Sequence, residues 1–203
     1  STARLLGMEL GQIKVTASEI GGGFGGKTTV YLEPVALILS RKAGRPVKMV
    51  MTREEVFRAS GPASASQSRI KIGAKKDGTL VAMQASLYYE AGAFKGSPMG
   101  PGCMTVFTPY DVENMWVEGF DVVVNKAKVA AYRAPGAPQA EFAAEMVMNE
   151  LAERLAMDPI DFRLQNAAKE GTQTLYGPKL KAVGLVECLQ AAKTSKQYQT
   201  ALA

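Results

Sequence analysis

Five glycines surround one phenylalanine in the run Gly21-Gly22-Gly23-Phe24-Gly25-Gly26-Lys27-Thr28. Glycine takes positive φ at little cost, so such a run can turn successive backbone N–H groups toward one electron-rich guest, an anion or an oxo group. The run fits two patterns at once: GxGxxG at Gly21, Gly23 and Gly26, and GxxxxGK[ST] at Gly21, Gly26, Lys27 and Thr28. A nucleotide-binding P-loop follows a strand buried on both faces and therefore continuously apolar, whereas residues 14–19 read Lys-Val-Thr-Ala-Ser-Glu, with only Val15 and Ala17 apolar. It also needs an apolar strand that ends in a magnesium-holding Asp, and Asp121 precedes Val122-Val123-Val124 instead of following them. A Rossmann site lacks its acidic residue about 20 positions on. The P-loop protein stands as the alternative class, and a non-enzymatic interaction domain as a third.

Other chemistries are bounded by composition. The chain has no histidine, which removes every mechanism needing an imidazole base, and its two cysteines, Cys103 and Cys188, lie far apart without CxxC spacing. The 24 basic and 19 acidic residues leave a net charge of +5, compatible with an anionic ligand. Basic residues are scattered, with pairs such as Arg41-Lys42 and Lys75-Lys76 but no run of five or more and no interleaved aromatics, so no nucleic-acid partner is expected. No stretch approaches the roughly 18 apolar residues of a membrane span, and the first residues carry no leader pattern, so a reducing cytoplasm is expected. Ser1 stands where an initiator methionine would, and residues 5–10 read as a helix already under way; a chain cut from something longer is expected.

The elements that must hold the glycine run are legible from periodicity. Residues 12–16 alternate polar and apolar side chains, predicting a strand that feeds the loop at 21–27. A helix is predicted over 31–42 with Pro34 in its first turn and Ala43-Gly44 as its stop, then a strand at 47–50. Thr52-Arg53-Glu54-Glu55 is a capping box opening a short helix to about Ala59. Asp77-Gly78 between strands at 69–72 and 80–89 predicts an antiparallel hairpin. Residues 91–102 read as a long loop, and 116–124 as a strand with a bend at Gly119. A second turn-rich loop, 131–139 (Ala-Tyr-Arg-Ala-Pro-Gly-Ala-Pro-Gln), precedes a helix whose face is marked by Ala144, Val147, Met148, Leu151 and Leu155. Asp158-Pro159 opens another through about Ala168, and 184–197 forms a third. The whole, 1–203, reads as an α+β fold, a mixed sheet with an antiparallel hairpin packed against helices, the C-terminal helices spanning 140–197.

Two of these segments carry a resemblance. Residues 20–27, IGGGFGGK, resemble the signature loop of the molybdenum hydroxylases of the xanthine dehydrogenase and aldehyde oxidoreductase kind, and residues 131–141, AYRAPGAPQAE, look like that family's second cofactor loop, commonly RGxGxPQ. The likeness continues into DPIDFRLQNAAKEGT and spans roughly residues 10–190. It implies a molybdenum-cofactor-binding domain, in which molybdenum on molybdopterin, with the cytosine dinucleotide form one option, hydroxylates a carbon next to nitrogen or oxygen with water as the oxygen source. It further implies that Gly22, Gly23, Phe24, Gly25, Arg133 and Ala134 bind the cofactor, Phe24 and Gly25 beside the metal's oxo ligand. No residue here is expected to be catalytic or a metal ligand. Iron–sulfur clusters and FAD are implied on partner chains or other segments, because two cysteines cannot supply four cluster ligands.

Departures from the family pattern narrow the implied substrate. Purine-hydroxylating members carry Glu after the lysine and an aromatic ring two residues after the arginine, where this chain has Thr28 and Pro135. There is also no arginine from Lys95 to Tyr132, the interval that holds their substrate-orienting arginine. Carbon monoxide dehydrogenases place a cysteine where Ala134 stands. An aldehyde or N-heteroaromatic small-molecule substrate is left. The family's basic glutamate, in a GxGE-like stretch, has no counterpart after Ala168, so the resemblance implies that the rest of the molybdenum subunit, or a partner subunit, supplies it, alongside iron–sulfur and flavin subunits. The isolated chain is expected to be inactive.

Overall fold

Asp77-Gly78 reverses the chain as its residue types predict: Gly78 takes φ 87°, the Asp77 carboxylate accepts the Thr79 N–H at 2.9 Å, and the Lys75 N–H donates to the Thr79 carbonyl at 2.8 Å. In the computed structural model, which describes residues 1–200, this turn joins β1 (Ser66–Ala74) to β2 (Leu80–Gly92) in antiparallel register, Ser66 opposite Tyr89. The last three residues of the expected 1–203 span lie outside the described residues. β3 (Asn114–Val123) adds in parallel to the other edge of β2, Ala85 opposite Val117, giving a mixed sheet in the order β1-β2-β3. The expected α+β fold is the one found.

The parallel crossover from β2 to β3 carries α4 (Met99–Thr105), and α5 (Ala137–Arg154) follows β3. β2 alternates with a period of two, so Met83, Ala85, Leu87, Tyr89 and Ala91 share one face and are at most 2% exposed. α5 presents Ala140, Ala144, Met148 and Ala152, spaced by four, to the same core. Three of the four are alanines, which let the helix lie close over the sheet. α6 (Pro159–Asn166) closes the core with Phe162, fully buried. Its N-cap is the expected one: Asp158 accepts the N–H groups of Ile160 and Asp161, both at 2.9 Å.

Several expectations fail, for identifiable reasons. Neither 12–16 nor 47–50 is a strand; a 3-10 turn, Leu10–Gln12, occupies the start of the first. A strand is stabilised by a paired neighbour and a buried face. Among the described residues neither segment finds a partner, and no residue before Ser64 is buried. The helices of this stretch, α1 (Thr2–Leu6), α2 (Glu33–Ala43) and α3 (Arg53–Ala59), form on local signals: left-handed Gly7 and Gly44 end the first two, and the Thr52–Glu55 capping box opens the third. The loop at 91–102 gives way at Met99 to α4. β3 runs through Gly119 without a break, since a side chain there would overlap Met99 Sδ and Cys103 Sγ of α4. The single helix expected over 184–197 is two, α7 (Leu185–Thr194) and α8 (Lys196–Gln199), divided at Ser195, whose hydroxyl accepts the Tyr198 N–H. No helix of the described residues is long and apolar enough to cross a membrane.

Candidate cofactor-binding site

More than 100 residues separate the two glycine-bearing loops, and they meet. The Arg133 N–H donates to the Phe24 carbonyl at 2.6 Å, and the rings of Phe24 and Tyr132 lie 6.2 Å apart, tilted by 47°. Gly25, at φ +99°, presses against the second loop so closely that a β-carbon would stand 3.1 Å from Ala131 Cβ and 3.2 Å from the Ala131 carbonyl oxygen. Phe24 (φ 50°) and Ala134 (φ 52°) both adopt the left-handed conformation that side chains ordinarily avoid, at a cost of about 1–3 kcal/mol each. Such strain persists only where the surroundings impose it.

A third segment completes the junction. The Tyr31 hydroxyl donates to the Gly26 carbonyl at 3.1 Å and accepts the Gly61 N–H at 3.3 Å. Gly61 in turn abuts Ala130, whose N–H donates to the Pro62 carbonyl at 2.9 Å. The second loop is delivered by the end of β2: Val124 and Val129 donate to the carbonyls of Gly92 and Ala91 at 3.0 and 3.1 Å, and a side chain at Gly92 would overlap the Ala127 carbonyl. At its far end the loop becomes α5 through Gly136 (φ 91°), the N-cap.

Within the glycine loop, Gly26 donates to Gly23, and both the N–H and the hydroxyl of Thr28 turn back to the Gly25 carbonyl. The N–H groups of Gly22, Gly23, Phe24, Gly25 and Ala134 donate to no acceptor among the described residues. Phe24 is 63% exposed and Arg133 is exposed and joins no ion pair among the described residues. Neither is therefore spent on the core or on a surface salt bridge. Lys27, Tyr31, Met51 and Gly61 line an open cleft of about 440 Å³ beside the loop. Residues 21–28 and 131–139 contain no carboxylate, and no cluster of three metal-ligating side chains occurs among the described residues. A donor set of free amides and a guanidinium suits an anionic or oxo-bearing group, and suits a metal that arrives on an organic ligand of its own. The P-loop geometry is not there: no strand precedes the glycines, and Lys27 and Thr28 stand outside any helix, the next beginning at Glu33.

Sequence reasoning missed Tyr31, Gly61, Tyr89 and Gly136 as supports. Only Gly136 carried a signal, a glycine between two prolines ahead of a strong helix. Tyr89 lies fully buried beneath the second loop with its hydroxyl on the Gly136 carbonyl at 2.6 Å. Burial first, and the neighbouring Cys103 second, push its ionisation up to about 12. Tyr110 is shifted upward too, by burial and then by Glu145, whose carboxylate accepts its hydroxyl. A raised folded value means that this stability is present in full below the unfolded value of 10 and lost as pH rises through the folded one. The denaturation midpoint of the wild type is thus expected to fall between pH 10 and about 12, and less steeply in Tyr89→Phe. Parallel alkaline profiles for the two proteins would contradict this.

The family described as molybdopterin cofactor-binding domain matches residues 1–167. The chain is 36% identical over 197 residues to the nicotinate dehydrogenase large molybdopterin subunit of Eubacterium barkeri, a stretch covering 94% of this chain and 46% of that one. It is 30% identical to xanthine dehydrogenase/oxidase of Gallus gallus, over 97% of this chain and 15% of the other. Among solved structures, aldehyde oxidoreductase from Desulfovibrio gigas superposes with a TM-score of 0.88 at 29% identity, over 96% of this chain and 22% of that one. The chain spans less than half the length of each of these relatives. With one family matching from the first residue through α6, and with the loops that carried the resemblance meeting in space, this chain belongs to the molybdenum hydroxylases of the xanthine dehydrogenase and aldehyde oxidoreductase kind, as a molybdopterin cofactor-binding domain.

Proposed function

We propose that this chain is the molybdopterin-binding portion of an oxidoreductase that hydroxylates an aldehyde or N-heteroaromatic carbon with water as the oxygen source. The observation that carries the proposal is the 2.6 Å bond from the Arg133 N–H to the Phe24 carbonyl, which joins the two loops whose amides are left without acceptors among the described residues. When bound, the molybdenum–pterin group supplies two-electron redox chemistry. The chain supplies placement: the amides of Gly22, Gly23, Phe24, Gly25 and Ala134 donate to oxo or phosphate oxygens, and Arg133 adds a fixed positive charge. The cytosine dinucleotide form of the cofactor belongs to this reading.

Thr28 and Pro135 offer neither an acid to hold a purine nor a ring to stack on it, which favours smaller or differently substituted rings. The name of the Eubacterium barkeri relative points the same way, toward an N-heteroaromatic acid. Iron–sulfur clusters and FAD sit on partner chains or further segments, since Cys103 and Cys188 cannot ligate a cluster alone. Leu10, Val15, Val50 and Phe57, each more than 75% exposed, give the remaining molybdenum-subunit segment an apolar surface to cover. The two free thiols suit a reducing cytoplasm, and the chain by itself, without the family's basic glutamate, is inactive.

Molybdenum and pterin are to be measured in the protein purified with its partner chains. About one of each per chain is expected. A folded, partner-bound protein carrying neither would make this a cofactor-free interaction domain. Magnesium-nucleotide affinity that vanishes in Lys27→Ala would return the P-loop reading instead.

A further inference from the structure

The second loop is held at two points three residues apart. At Arg133 the glycine loop takes the backbone N–H, and at Gly136 the grip comes from below. Tyr89, on the buried face of β2, donates its hydroxyl to the Gly136 carbonyl at 2.6 Å, the same oxygen that accepts the Ala140 N–H in the first turn of α5. Gly136 has no freedom to slide: at φ +91° a β-carbon would overlap the Pro98 carbonyl and lie 2.9 Å from the Gly102 nitrogen. Gly102 packs against the same tyrosine oxygen, so α4 walls the hydroxyl in. Between the two grips sits Ala134 in its left-handed conformation. A strained non-glycine turn relaxes unless both ends are fixed. A phenylalanine would fill the core equally well at position 89, so the hydroxyl, which must be paired once buried, is there for the carbonyl it holds.

We propose that Tyr89 is a positioning residue for the cofactor: by fixing Gly136 it maintains the strained Ala134 turn and with it the direction in which Arg133 and the Ala134 N–H face the molybdopterin. This rests on the functional reading above. Tyr88, the next residue, points to the opposite face of the sheet and stacks on Phe120 at 4.6 Å, which makes it the natural control.

The test compares wild type, Tyr89→Phe and Tyr88→Phe, each purified with its partner chains. Three quantities are read: bound molybdenum and pterin, the rate of pterin release in sub-denaturing guanidinium, and amide exchange segment by segment. Tyr89→Phe is expected to release pterin and to exchange the amides of 133–137 on the order of tenfold faster, the effect of one lost hydrogen bond, with exchange in the middle of α5 unchanged. Tyr88→Phe matches wild type. The role is overturned if Tyr89→Phe retains pterin like wild type, or if its exchange rises equally in 133–137 and in α5. A wild type without molybdenum and pterin overturns the functional reading itself, whatever the exchange pattern shows.

Discussion

Gly25→Val is expected to strip the protein of molybdenum and pterin while leaving the sheet and its helices folded. The φ of +99° is strained for any L side chain, and the new atoms would press on Ala131, already 3.1 Å from where a β-carbon would stand. The relief available is to move the loops apart, which breaks the Arg133–Phe24 bond and turns the free amides away from one another. Two or three charge-assisted bonds to the cofactor lost together correspond to about 3–5 kcal/mol, or at least a hundredfold in affinity. The fold is spared because Gly25 belongs to the stretch in which nothing is buried. Metal and pterin content per chain, with circular dichroism as the check on folding, decides the matter. A variant with the full complement of both would remove the glycine loop from the cofactor.

Gly136→Ala acts on the other loop and on stability. A single added carbon meets the Pro98 carbonyl, a backbone atom that cannot rotate aside, at a φ of +91°. Strain at this positive φ contributes about 1–3 kcal/mol, and displacing the Gly136 carbonyl leaves the Tyr89 hydroxyl buried without its acceptor, another 1–3 kcal/mol. The sum, roughly 3 kcal/mol, is a large part of the 5–15 kcal/mol that holds an ordinary domain together. The urea midpoint should fall by about 1–2 M at an unchanged slope. A shift of a few tenths molar would mean that the junction of β2, α4 and α5 yields more readily than its contacts indicate.

What could be read in the residues, and what could not, divides along the range of the interactions. The hairpin at Asp77-Gly78, the Thr52 and Asp158 caps and the apolar face of α5 are local, each decided within about ten residues, and each is found. The strands expected at 12–16, from alternation, and at 47–50, from a short apolar run, have no partner, because pairing is decided by what lies alongside, which local residue types do not encode. The helix α4 hid behind its glycines and prolines: Met99-Gly100-Pro101-Gly102 looks like a loop, yet Gly102 is where the Tyr89 ring needs room. For the site, residue types exposed the two loops, and a family resemblance joined them. The tyrosines that hold them, Tyr31 and Tyr89, lie outside both motifs and look like ordinary helix-start and strand residues. Only coordinates show whose carbonyl a hydroxyl reaches.

The absence of any buried residue ahead of Ser64 bears on how a bulky prosthetic group enters. One half of the junction, the Arg133 side, is mounted on a well-packed sheet and helix, and the other half, the Phe24 side, on a stretch in which no residue is buried. Peeling the weaker half away is therefore much cheaper than melting the whole domain. A ligand seated across both halves would then act as a clasp that holds the amino-terminal arm in place.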